Sequence, residues 1–139
     1  MDANELAGRV ARAMLLREGT GPAWGIEVEE AREHYVRISM TVRADMLNSH
    51  QIAHGGMIFA LADTAFAYVC NGANHATVAA QASIVFLDKV REGETLIAEA
   101  VEVAREGRAG VTRVTIQTAD GRTVAEFTGY SRTLGGAVI

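Results

Sequence analysis

The chain has 139 residues, one cysteine, one proline, a formal charge of −4 and 49% hydrophobic residues. That length suits one domain, residues 1–139, with a core that needs no disulfide or structural metal. The acidic balance leaves no basic face for nucleic acid or an anionic membrane. Cys70 alone makes no intramolecular disulfide and no apolar leader opens the chain, so the cytoplasm is the expected compartment.

From Asn4 to Leu16, the apolar residues Leu6, Val10, Ala13, Met14 and Leu16 recur near helical spacing with Glu and Arg between them, which predicts an amphipathic helix. Gly19 to Pro22 ends it. Alternation then begins at Ile26 and Val28 and continues from Tyr35 to Val42, which predicts two strands joined around Glu30 to Glu33. A loop from Arg43 to Ala53 leads to Gly55-Gly56 and an apolar helix that stops at Asn71-Gly72, where a left-handed cap is expected. Four long strands follow, Thr77 to Leu87, Thr95 to Arg105, Ala109 to Thr118 and Thr123 to Thr133, separated by turn signals of which Asp120-Gly121 is the strongest. They read as an antiparallel meander with a frayed Gly135-Gly136 tail. The sheet must bury one face, and only the apolar helix can cover it. The expected class is α+β, a curved sheet around one central helix with an extra helix at the N-terminus.

The central helix poses a physical problem. Met57, Ile58, Phe59, Leu61, Phe66, Tyr68 and Val69 point in every direction, so the helix reads as buried all round. Asp63 lies among them. An ionised carboxylate there costs several kcal/mol (~3) unless it is paired, hydrogen-bonded or protonated. Such a residue is either functional or bonded to a neighbouring strand or loop. The run is shorter than the ~20 residues of a membrane span and carries an acid near its middle.

Met46-Leu47-Asn48-Ser49-His50-Gln51, His54-Gly55-Gly56, Phe59, Leu61 to Tyr68 and Cys70-Asn71 together resemble the hotdog-fold acyl-CoA thioesterases of the phenylacetyl-CoA (PaaI) type. Phe86-Leu87 and Gly129 to Gly136 fit as well. Ser49 departs where many members carry glycine, which bears on the loop's backbone. Asp88-Lys89 departs where Arg-Pro or Lys-Pro is usual, which bears on contacts to the nucleotide end of coenzyme A. The resemblance implies hydrolysis of phenylacetyl-CoA or its ring-hydroxylated derivatives without a cofactor, by a tetramer of two dimers. It favours Gly55 as the main oxyanion donor, implies that Asn48 and His54 line the site, and points to Gly56, Thr64, Phe66 and Met46 as substrate contacts.

The residues suit that chemistry. Thioester hydrolysis needs a donor to polarise the carbonyl and a group that attacks it or activates water. Gly55 and Gly56 present backbone N–H groups at a helix N-terminus without side chains in the way. Asp63 serves as nucleophile or as general base, and the sequence leaves both open. The two groups are eight residues apart, about 12 Å along one helix, whereas each contact to a single thioester reaches only about 3 Å. Donor and acid are therefore expected from two subunits packed antiparallel across a two-fold axis, making a homodimer with shared active sites.

Taken alone, His54 reads as a helix cap or packing residue and Asn48 as a turn residue. His50 and His54 stand four apart, but a loop runs through them and no H-E-x-x-H follows, so no metal is expected. Cys70 reads as a small buried hydrophobe. Arg43, Lys89, Arg91, Arg105, Arg108 and Arg113 are candidates for coenzyme A phosphates, each individually a solvated charge. The alternatives to hydrolysis are a hotdog acyl-CoA hydratase or dehydratase, whose sites pair a His with the acid, and a non-catalytic acyl-CoA-binding module.

Overall fold

The structure is a computed structural model that describes residues 1–139. Helix α1 covers Ala3–Arg17 and starts at Asp2, whose side chain accepts from the Glu5 N–H. A single helical turn, α2 (Thr20–Ala23), occupies the segment that the sequence reads only as a terminator. Strand β1 is Glu27–Arg32 and β2 is Tyr35–Thr41. The turn between them lies at Glu33-His34, later than expected, with His34 at φ 63°. The charges that resemble a loop sit on the strand itself, where Glu29 and Glu30 pair with Arg37 of β2.

Helix α3 runs from Gly55 to Cys70, and strands β3 (Thr77–Phe86), β4 (Thr95–Glu106), β5 (Ala109–Thr118) and β6 (Thr123–Thr133) follow. All pairings are antiparallel in one six-stranded sheet of order β1-β2-β4-β5-β6-β3. The expected meander holds only for β4, β5 and β6. β3 crosses to the far edge beside β6, and β4 pairs with β2 instead.

One sheet face wraps α3. Val36, Ile38 and Met40 of β2, Leu96, Ala98 and Ala100 of β4, Val114 and Ile116 of β5 and Phe127 of β6 are buried against Ile58, Leu61, Ala62, Ala65 and Phe66. Each large side chain so buried contributes roughly 1.5–3 kcal/mol. Gly129 of β6 lets the helix approach, since a Cβ there would stand 2.7 Å from the Phe66 ring.

The two sheet edges differ. β1 carries Glu27, Glu29, Glu30 and Arg32 and is flanked by α1, the usual protection of an exposed edge. β3 has a free outer side, with Val78, Val85, Phe86 and the following Leu87 about half exposed.

The end of α3 is not the expected left-handed cap. Asn71 has φ −95° and instead uses its side chain, which donates to the carbonyls of Ala67 (2.8 Å) and Thr77 (3.0 Å) and accepts from the Thr77 N–H (2.8 Å). This stitches the helix end to the first residue of β3. The tail is also better held than expected. The Leu134 N–H donates to Ala76, the Gly136 carbonyl accepts from the Ala76 N–H, and Asn74 and Arg17 bond the backbone of Val138 and Ile139.

Candidate active site

His54 enters α3 in extended conformation (φ −63°, ψ 134°) and acts as its N-cap. Its Nδ1 accepts from the Gly56 N–H at 2.8 Å, so the neutral ring carries its proton on Nε2. Its carbonyl accepts from Met57 (2.9 Å) and Ile58 (3.3 Å). The Gly55 N–H has no partner in the chain. Of the two glycines expected as donors, Gly56 is thus occupied by its own cap, and Gly55 presents an unspent N–H at the positive end of a 16-residue helix.

The loop before α3 is built by Asn48. Its Oδ1 accepts from the N–H groups of His50 (2.9 Å) and Ile52 (3.4 Å), while its Nδ2 has no partner in the chain. The one left-handed residue of this loop is Gln51 (φ 62°), so Ser49 occupies a position that does not require glycine. Asn48 and Gly55 meet Ile58, Phe86 and Lys89 around an open cavity of about 400 Å³.

Phe86 is the neighbour that sequence reasoning passed over as a site residue. A Cβ on Gly55 would lie 3.1 Å from its Cζ. The available signal was a bulky aromatic residue ending a strand beside a charged turn.

Asp63 sits two turns further along α3 and lines no part of that cavity. It is only partly covered and makes no hydrogen bond or ion pair in the chain, so burial alone pushes its carboxyl above the usual range. The helix is not enclosed all round. Gly56, Ala60, Asp63 and Ala67 form a stripe at i, i+4, i+7 and i+11 that its own sheet leaves incompletely covered.

The other expected substrate contacts lie elsewhere. Phe66 is 1% exposed and packs on Phe127, their ring centroids 5.7 Å apart; Met46 is buried beneath the loop, its carbonyl accepting from the His54 N–H. The Thr64 hydroxyl donates to the Ala60 carbonyl at 2.7 Å. Within the chain Phe66 and Met46 belong to the core, and the hydroxyl of buried Thr64 is bonded to its own helix.

A second cavity, about 260 Å³, lies at the other end of α3, beside Cys70, Glu102 and Arg105. Burial pushes the Cys70 thiol up to about 12, and Arg105 holds Glu102 at 2.8 Å, so this cavity contains no ready nucleophile. Among the basic candidates, Arg43 and Arg105 are engaged with Asp45 and Glu102, whereas Lys89, Arg91, Arg108 and Arg113 have no ion-pair partner. No helix is long and apolar enough to cross a membrane.

A free helix-terminal N–H and an unpaired carboxylate suit acyl transfer, and similarity to known proteins decides the family. The family model of the Thioesterase superfamily matches residues 50–125, which include the whole of α3. The chain belongs to the thioesterase superfamily. This thioesterase is 42% identical over 92% of its length to the acyl-coenzyme A thioesterase PaaI of Escherichia coli, covering 91% of that protein. It superposes on the structure of E. coli PaaI, from the phenylacetic acid degradation operon, with a TM-score of 0.95 at 39% identity, covering 98% of this chain and 99% of that one. A hypothetical thioesterase from Streptococcus pneumoniae, solved with coenzyme A, matches at 27% identity and a TM-score of 0.78 over 81% of the thioesterase and 90% of the other chain. The hotdog fold of this chain is thereby shown, as is its membership among thioester hydrolases.

Proposed function

We propose that the protein is a homodimer hydrolysing acyl-CoA thioesters, with phenylacetyl-CoA or a ring-hydroxylated derivative as substrate. The thioester carbonyl accepts from the free N–H of Gly55, which stabilises the oxyanion that develops as the carbonyl is attacked. Asp63 of the partner subunit supplies the attack, either directly or by taking a proton from water. In the direct route the C–S bond breaks to leave a mixed anhydride on Asp63, which water then cleaves to release the acid. In the general-base route water adds to the carbonyl and the acid forms as the C–S bond breaks. In both, the coenzyme A thiolate takes up a proton that the water gives up. Asn48 directs its unused Nδ2 toward the same carbonyl, and His54 holds the start of α3 in the conformation that keeps Gly55 free.

The observation that carries this reading is the pairing of one unspent donor with one desolvated, unpartnered carboxylate about 12 Å apart on the same helix. No single thioester spans them. A second copy packed on the open stripe of α3, with its β3 beside the free β3 edge, would bring Asp63 to the neighbouring Gly55 and cover the exposed apolar side chains. The relatives' coenzyme A chemistry and the operon of E. coli PaaI support the substrate. In the test, phenylacetyl-CoA is incubated with wild type and with Asp63→Asn, and free thiol is measured. Wild type should release thiol, and the variant should lose roughly 10²- to 10⁴-fold in kcat. Undiminished turnover by Asp63→Asn would remove that residue from its role.

A further inference from the structure

We infer that Phe86 is a positioning residue for the oxyanion donor: its ring, seated on the first residue of α3, sets the direction from which a carbonyl oxygen reaches the Gly55 N–H. The inference rests on the hydrolase reading above and concerns a side chain which that reading does not use.

The Phe86 ring meets Gly55 with its tip. Cζ, Cε1 and Cε2 lie 3.1, 3.5 and 3.5 Å from the point where a Cβ of Gly55 would stand. The contact is not a by-product of core packing. Phe86 stays 50% exposed and lies outside the cluster that surrounds α3, although its side chain is among the largest apolar ones available. Within one chain the Phe86 ring does not share the full burial of Phe66 and Phe127, and what it rests on is Gly55 at the rim of the cavity.

The backbone beneath the ring is fixed. Phe86 is in register with Ala125 of β6, and the N–H groups of Leu87 and Asp88 both donate to the Val124 carbonyl, at 2.7 and 3.2 Å. The next residues are tied down by Arg122, which pairs with Asp88 (3.1 Å) and Glu94 (3.0 Å) and donates to the Lys89 carbonyl (3.1 Å). The turn thus fixes the point from which the ring reaches Gly55. The ring lines the same cavity as Gly55, Asn48, Ile58 and Lys89, and in the proposed role it closes the approach to the donor from its own side. An aromatic wall beside the N–H also keeps water from solvating the oxyanion from that direction, which strengthens the remaining hydrogen bond. Glycine at position 55 then has a second reason: any side chain would displace the ring.

Steady-state kinetics on phenylacetyl-CoA test this with Phe86→Ala, Phe86→Leu, Gly55→Ala and the double variant Gly55→Ala/Phe86→Leu, each checked for native circular dichroism. Phe86→Ala should lower kcat roughly 10- to 100-fold while KM moves less than about threefold, since geometry and not ground-state binding is lost. Gly55→Ala should lose activity through the 3.1 Å contact. Shortening residue 86 to leucine should restore about tenfold in the Gly55→Ala background while costing activity in the wild-type background, a reversal of sign that a merely structural residue would not give. The Leu pair keeps the test valid if Phe86→Ala fails to fold. Overturning results are a Phe86→Ala kcat within threefold of wild type, a loss confined to KM, or variant effects that simply multiply. Any of these in an active wild type removes Phe86 and leaves hydrolysis standing, whereas a wild type that hydrolyses no acyl-CoA overturns both.

Discussion

Two inactive variants should restore each other if one active site draws Gly55 and Asp63 from different subunits. Gly55→Pro deletes the donor, and its Cβ also crowds the Phe86 ring of the same chain. Helix α3 still forms, because residue 55 opens it, the N–H there makes no intrahelical bond and His54 already has the extended backbone that must precede proline. Loss of one oxyanion donor costs about 10²–10³ in kcat, and Asp63→Asn costs at least as much, so each variant alone should retain less than about 1% of activity. A heterodimer of the two has one site with both native groups and one site with neither. Random assortment of equal amounts makes half the dimers mixed, so the mixture should recover about one quarter of wild-type activity, and heterodimer isolated on two different tags about one half. If both groups of a site came from one chain, no heterodimer would contain an intact site. The assay is thiol release after co-expression and tandem affinity purification. Isolated heterodimer no more active than its parents would refute the reasoning from helix length and with it the shared site.

The carboxyl of Asp63 is raised by burial, so the stability it lends is fully present below the ordinary aspartate range and is lost as pH rises through its folded value. At neutral pH the charged form opposes folding. Asp63→Asn should therefore unfold at a urea concentration no lower than wild type at pH 7 while being nearly inactive, and a lower midpoint contradicts this; the acid limb of wild-type kcat/KM should likewise fall above the usual carboxylate range. Gly129→Ala would place a methyl 2.7–2.8 Å from three atoms of the buried Phe66 ring, an overpacking worth about 1–3 kcal/mol, and Phe66→Leu in that background should recover most of it. Equal urea midpoints for Gly129→Ala and wild type would show that the sheet yields to the ring.

Much of this thioesterase follows from local chemistry alone. Period-two alternation places all six strands, and the Asp120-Gly121 signal marks the β5–β6 turn, where Gly121 has φ 93°. The apolar run after His54-Gly55-Gly56 marks the central helix, and its single acid marks the position with a physical cost. These are properties of neighbours in sequence, set by backbone geometry and by the partition of side chains between two faces.

Which elements meet is a different matter. Alternation says which side of a strand is apolar but not which strand lies beside it, so β3 was expected within the meander and stands instead at a free edge next to β6. The helix looked enclosed because hydropathy has no direction, whereas the sheet leaves incompletely covered the first turn of it and the stripe that holds Asp63. The division of labour between the two glycines depends on one hydrogen bond from Gly56 to the His54 ring. Phe66 went to the core because Gly129, 63 residues away, leaves it room. Phe86 reaches Gly55 across 31 residues of chain by a contact that no periodicity encodes. Long-range pairing and shape complementarity decided these points, and they arise only once the sheet has closed around the helix.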